Sequence, residues 1–314
     1  MENNVIMPKN QIIWRICLGS LLLVATIIVG IDLFDVSQLL SDFLEISHVT
    51  LITAFLFGSA SWIFRGIRAG MLFKKSKDQI FSKYIAISFL HNFANNFFPM
   101  RLGELVLPLL LKKIYKTPLK EGVKGLIGIR ILDLLALCII VLTFFIGTKY
   151  FFLGGILFIV FALLVPLFIN LFRKFLSTSN IFPIFLFGTF KSDLRAENQG
   201  LMPKIWWITV TAWCCKLLGM MILLLSLSNA SIQTQTAILL GVELSSILPI
   251  HGLAGAGTFE AGGTFGAMIS GSDFTIGLKS SIQLHLYVLS LTVLFGIIGI
   301  MILILGNLYD KKSS

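Results

Sequence analysis

Apolar residues run along the chain in blocks long enough to cross a bilayer, separated by short polar stretches. Six blocks are uninterrupted, roughly 12–31, 47–70, 124–148, 150–172, 203–229 and 280–306. A spanning helix needs about 20 apolar residues in a row, and each block holds one. Two further blocks are apolar but broken. The block 80–111 carries His91, Asn92, Asn95, Asn96, Pro99, Arg101, Gly103 and Glu104. The block 234–271 carries Glu243, Pro249, His251, Glu260 and the glycines Gly252, Gly255, Gly257, Gly262 and Gly263. Hydrocarbon offers no water to an interrupted backbone, so irregular chain at membrane depth must be buried in protein or line a wet cavity. Each broken block is therefore predicted to be a re-entrant helical hairpin that enters and leaves on one side. The expected fold is an all-α polytopic membrane protein, with six full spans plus two re-entrant hairpins in a single transmembrane domain over 1–314.

Charge sets the expected sidedness. The segment 32–46 contains Asp32, Asp35, Asp42 and Glu45 and no Lys or Arg, so it reads as an outside loop. Arg65, Arg68, Lys74, Lys75 and Lys77 place the next loop inside. With both broken blocks as hairpins, twenty of the 25 Lys and Arg fall inside, as the positive-inside rule asks. Treating either block as a plain crossing flips everything after it and spoils the bias. Both termini are then cytoplasmic, in a multi-pass protein of the cell membrane. The two halves, about 1–148 and 149–314, run span, span, hairpin, span from opposite sides, which is an inverted-topology repeat. Lys9 and Arg15 flank the first apolar run, and Asp32 and Asp35 follow it instead of a small-residue cleavage site. That pattern predicts a retained first span.

Composition adds exclusions. Of 314 residues, 56% are hydrophobic and 13% charged, and the mean hydropathy is +0.93. Soluble domains carry about 25% charged residues, so a soluble enzyme, a disordered chain and a nucleic-acid-binding module are all excluded. The net charge of +10 is explained by loops facing anionic lipid. Cys17, Cys138, Cys214 and Cys215 lie in apolar runs without C-x-x-C spacing, so they read as small buried hydrophobes rather than a disulfide framework or a metal site. No metal and no cofactor is expected.

The candidate chemistry sits at the breaks. His91, Asn92, Asn95 and Asn96 share a helical face. Pro99 and Gly103 then act as a hinge, with Arg101 and Glu104 three apart beyond it. A guanidinium beside a fresh helix start suits a phosphate, and Glu104 either balances Arg101 or accepts a proton. The plainer alternative is that the two only tie the hairpin together while the asparagines bond the broken backbone. In the second block the hinge is Pro249, Gly252, Gly255 and Gly257. There the glycines either let backbone approach a head group or let helices pack closely. Glu260 is expected to match Glu104 as a symmetry-related gate, with Glu243 and His251 as weaker polar candidates. Arg130 and Asp133, one turn apart, read as an ion pair. Lys216 has no local acid and calls for a distant one, Glu243 or Glu260, or a lipid phosphate. Asn95, Asn96, Arg101, Glu104, Arg130, Asp133, Lys216, Glu243, His251 and Glu260 make up the expected substrate-binding set.

Three motifs extend this reading. Asn95-Asn-Phe-Phe-Pro99-Met-Arg101-Leu-Gly103-Glu104 matches an N-x-x-P-x-R-x-G-E element. Arg130-Ile-Leu-Asp133-Leu-Leu matches R-x-x-D-L-L. Leu248-Pro249 with the glycine run and Glu260 follows P-x-x-x-G-G-x-G-x-x-E, with Leu253-Ala254 altering its second glycine motif. In this order and over nearly the whole chain, the sequence resembles the flippase-like membrane region of lysylphosphatidylglycerol synthases, here without the soluble aminoacyl-transferring domain. The resemblance implies movement of an anionic phospholipid or lipid-linked head group between leaflets. Two other readings stand beside it: an accessory membrane subunit of a lipid-modifying synthase, and an embedded lipid transferase using Arg101, Glu104 and Glu260. The expected partner is a membrane lipid or lipid-linked substrate, with a homo-oligomer or a separate synthase as protein partners and no nucleic acid.

Overall fold

In a computed structural model, residues 9–74, 76, 79–178, 201–246 and 252–313 are described. They form helices and short connections, with no strand among the described residues. The α-helices are α1 (Lys9–Leu33), α2 (Val36–Glu45), α3 (His48–Phe73), α4 (Phe81–Phe97), α5 (Val106–Tyr115), α6 (Leu119–Lys149), α7 (Phe151–Thr178), α8 (Leu201–Leu227), α9 (Ile232–Ser245), α10 (Thr258–Ile269) and α11 (Phe274–Ser313). Within α3, α6, α8 and α11, the stretches His48–Phe73, Leu119–Thr143, Leu201–Leu227 and Phe274–Gly306 are long and apolar enough to cross a membrane. Cys17–Leu33 and Phe152–Leu167 are shorter apolar stretches. The chain is thus an all-helical membrane protein. Four of the six expected spans meet the length and composition of a crossing, and α1 and α7 supply the other two apolar segments.

One expectation is corrected. The acidic segment 32–46 is not simply a loop, because α2 occupies most of it. Asp35 caps that helix, its side chain accepting the Ser37 N–H at 2.8 Å. Val36, Leu39, Leu40 and Phe43 recur at the spacing of one helical face. Leu39 is buried, and Asp42 is held by Lys279 at 2.8 Å and by Gln283 at 2.7 Å.

Both broken blocks are broken in the fold. After α4 the chain passes through a 3₁₀ turn, Pro99–Leu105, before α5 starts. Pro99 disfavours helical backbone at the residue before it. Arg101 then adopts φ 56°, a left-handed conformation that is uncommon away from glycine. After α9 comes a short 3₁₀ turn, Leu253–Gly255, and then α10. Ala254 there also has φ 56°, while Gly255 and Gly257 take φ 83° and 86°. Pro249 and His251 lie outside the described residues.

The chain forms two compact units. The first comprises Met1–Leu56, His91–Glu104 and Leu218–Ile297. The second comprises Phe57–Leu90, Leu105–Leu217 and Ile298–Ser314. In the first, α9 and α10 pack backbone to backbone: a Cβ on Gly241 would overlap the Gly262 carbonyl, and one on Gly266 the Ala237 carbonyl. Of the two roles weighed for the glycine run, Gly262 serves close helix packing, whereas Gly255 and Gly257 serve the turn. The second unit closes around Ala69, Phe73, Tyr84, Ile87, Leu107, Leu111, Leu126 and Ile129. Tyr84 stacks on Tyr115 there, with ring centroids 4.3 Å apart.

Candidate functional site

In the first unit the tips of the two broken blocks meet. Arg101 projects from the first break. Its Nη1 donates to Glu104 Oε1 at 3.2 Å, and its Nη2 donates to the Ser246 carbonyl at 2.6 Å. Ser246 caps the C-terminal end of α9, where a cation complements the partial negative charge of the last carbonyls. Arg101 and Glu104 keep about a quarter of their side-chain surface exposed. Helix α1 lies against both tips, since a Cβ on Gly19 would sit 2.6 Å from Pro99 Cβ and 3.1 Å from the Leu253 nitrogen. Gly103 presses on the α4 backbone at Ala94 and Asn95, leaving no space for a side chain. Asn96 donates to Thr292 Oγ1 on α11 at 2.8 Å, so it ties α4 to α11 rather than patching the broken backbone. The Asn95 Oδ1 is buried without a hydrogen-bond donor among the described residues.

Glu260 is buried and has both oxygens engaged. Oε2 accepts the Gly257 N–H at 2.8 Å, which caps the start of α10. Oε1 lies 2.5 Å from His285 Nδ1. His285 Nε2 faces the Ala254 carbonyl at 2.8 Å, and its ring stacks on Phe259 at 4.4 Å. Both imidazole nitrogens thus face acceptors, so ring and carboxyl must hold two protons between them to satisfy both contacts. Glu260 therefore has His285 as its partner. His285 escaped the sequence reading because it sits inside an otherwise apolar block, although a histidine in such a block is itself a functional flag. Glu243 is 1% exposed within α9, and Ser246 Oγ donates to its backbone carbonyl at 2.6 Å.

The second unit holds a different cluster, on three helices long enough to cross a membrane. Asp133 of α6 receives Arg68 of α3 in a two-pronged pair, Nη1 to Oδ1 at 2.6 Å and Nη2 to Oδ2 at 3.2 Å. Trp213 Nε1 of α8 donates to the same Oδ1 at 3.0 Å, and Arg68 Nη1 also reaches Thr209 Oγ1 at 3.1 Å. Arg68 and Asp133 are both buried. Arg130 stands 4.0 Å from Asp133 Oδ2, beyond hydrogen-bond length. The main partner of Asp133 is thus Arg68, and the pairing with Arg130 expected from sequence is secondary. Arg68 and Arg65, assigned by charge to a loop, belong to α3. Arg65 lies 5.0 Å from the centroid of the Trp213 ring and Lys216 lies 5.3 Å from it. Among the described residues no group of three His, Cys, Asp or Glu is arranged to hold a metal.

These features define an all-helical membrane protein with interrupted helices and charged side chains inside apolar segments. The family model for the lysylphosphatidylglycerol synthase TM region matches residues 12–305, and the chain belongs to that family. Neither the curated proteins nor the solved structures yield a match.

Proposed function

We propose that the protein moves an anionic phospholipid, or a lipid-linked anionic head group, between the leaflets of the cell membrane. Membership of the family supports a lipid-related role in the membrane, and the two broken blocks support transport. Paired interruptions of apolar segments mark substrate sites in transporters built as inverted repeats. The observation that carries the reading is Arg101. It sits in a left-handed turn at the first break, keeps about a quarter of its side chain exposed, and spans from Glu104 to the end of α9. A guanidinium so held offers a phosphate a ready fork, and releasing Ser246 would loosen one tip from the other.

In this reading the chain has six crossings and two re-entrant hairpins, halves of about 1–148 and 149–314, and both termini in the cytoplasm. Arg101, Glu104, Asn95 and Asn96 meet the lipid from the first hairpin. Glu243, His251 and Glu260 act from the second, and Arg130, Asp133 and Lys216 from the spans. Pro99, Gly103, Pro249, Gly252, Gly255 and Gly257 are the hinges. A second copy or a separate synthase is the partner. Glu104 and Glu260 serve opposite tips: Glu104 is the accessible carboxylate, while Glu260 latches its tip through His285. The test is purified protein in liposomes with a labelled anionic phospholipid in one leaflet. Protein-dependent appearance of label in the other leaflet supports the proposal. A change in the lipid's mass would instead mark a transferase, and neither result would leave the role of an accessory subunit.

A further inference from the structure

Glu260 and His285 are buried together, and His285 lies in the stretch of α11 long and apolar enough to cross a membrane. Ionisable groups in such a setting mark proton and substrate paths more often than scaffolding. Their contacts impose a proton count. Oε2 of Glu260 takes the Gly257 N–H, Oε1 faces His285 Nδ1, and Nε2 faces the Ala254 carbonyl. One proton must lie between Oε1 and Nδ1, and a second between Nε2 and the carbonyl. With only one proton, either a bare nitrogen faces the carboxylate or a bare nitrogen faces the carbonyl. Two buried acceptors then oppose each other at contact distance, which the interior does not tolerate. The segment that would yield is the turn. Ala254 holds φ 56° there, a strained conformation for a residue with a side chain that persists only while its surroundings hold it. The ring presses on the same turn, since a Cβ on Gly255 would sit 3.3 Å from Nε2. Other charged and titratable groups stand on the elements around the couple. Lys279 of α11 is paired with Asp42 of α2, and Arg101 with Glu104 at the first break. Tyr287 of α11 donates to the Ala54 carbonyl. Glu243 is buried on α9, which packs against α10.

We infer that Glu260 and His285 form a proton-binding site: the second shared proton keeps the turn 253–257 closed, and its release to water opens that turn. The ligand is the proton, and its linkage to lipid movement rests on the transport reading above. The test is hydrogen exchange on the full chain in uncharged detergent, from about pH 5 to about pH 9, a range that brackets ordinary imidazole titration. Rates are corrected for the intrinsic pH dependence of exchange, with α2 as internal reference. Exchange over 253–260 should rise about tenfold or more relative to α2 as the pH rises, because one buried contact loses its proton. Glu260→Gln separates this from a structural tie. Its amide can donate to Nδ1 while Nε2–H donates to Ala254, so both contacts are met without the extra proton. Protection in Glu260→Gln should therefore stay flat with pH, which assigns the response to the couple rather than to Glu104 or Glu243. Flat exchange in the unaltered protein, or the same rise in Glu260→Gln, would overturn the site. Where Glu260→Gln does not fold, His285→Phe should exchange fast at every pH, and a rise with pH that persists there would overturn it equally. Exchange is read without lipid, so a failed leaflet assay leaves this result standing, and failure here leaves the role of Arg101 untouched.

Discussion

Asp133 has two arginines within reach, and burial decides between them. Arg68 makes two hydrogen bonds in a buried setting, and Arg130 makes one long contact from a partly exposed position. Removing one partner of a buried pair leaves a stranded charge, at a cost of about 3–5 kcal/mol. A partly exposed partner is worth under about 1 kcal/mol. Arg68→Ala should therefore lower the melting midpoint in detergent far more than Arg130→Ala; equal losses would contradict the pairing. The sequence pattern R-x-x-D made Arg130 legible, because spacing within one helix is a local signal. It was silent on Arg68, which folding brings from 65 residues earlier. His285 poses a similar problem, since its two partners come from the tip of another segment. His285→Phe keeps a ring to stack on Phe259 but loses both polar contacts. Hydrogen exchange across 253–260 should accelerate in that variant, and unchanged protection would mean that His285 does not hold the tip.

The two breaks were the most readable feature of the chain, and they fall where Pro99 and the glycine run interrupt apolar sequence. That information is local: proline restricts the backbone before it, and positive φ favours glycine. Helix α2 was not read because its acidic residues dominated the segment and its apolar face is only ten residues long. Its cap gives a check. Asp35→Ala should cost about 1 kcal/mol, seen as faster exchange over 36–45 with little change elsewhere. The tight approach of the first turn to α4 gives another. Gly103→Ala puts a methyl into the backbone of Ala94 and Asn95, where overpacking costs about 1–3 kcal/mol. Gly155→Ala meets nothing within 4 Å and should be tolerated. A stable Gly103→Ala protein would show that the turn is not packed as described.

Each compact unit is assembled from segments far apart in sequence, such as Met1–Leu56, His91–Glu104 and Leu218–Ile297. Apolar periodicity gives the helical class and says nothing of such assembly, which is why the clusters at Asp133 and His285 were only half visible beforehand. Sidedness is the other property of the whole molecule, and single cysteines read it. In a background lacking Cys17, Cys138, Cys214 and Cys215, labels at Ser76 and Thr117 should both react only from the cytoplasm, and a label at Ser41 only from outside. Opposite sidedness at Ser76 and Thr117 would make the first broken block a plain crossing and end the inverted repeat. Transport itself is tested most directly by the rate at which a labelled anionic phospholipid changes leaflet in liposomes, compared between the protein, Arg101→Lys and protein-free vesicles. Exchange well above the protein-free rate, slowed about tenfold or more when the guanidinium fork is lost, is the expected result. Exchange at the protein-free rate, or exchange indifferent to Arg101→Lys and Arg101→Ala alike, would contradict it.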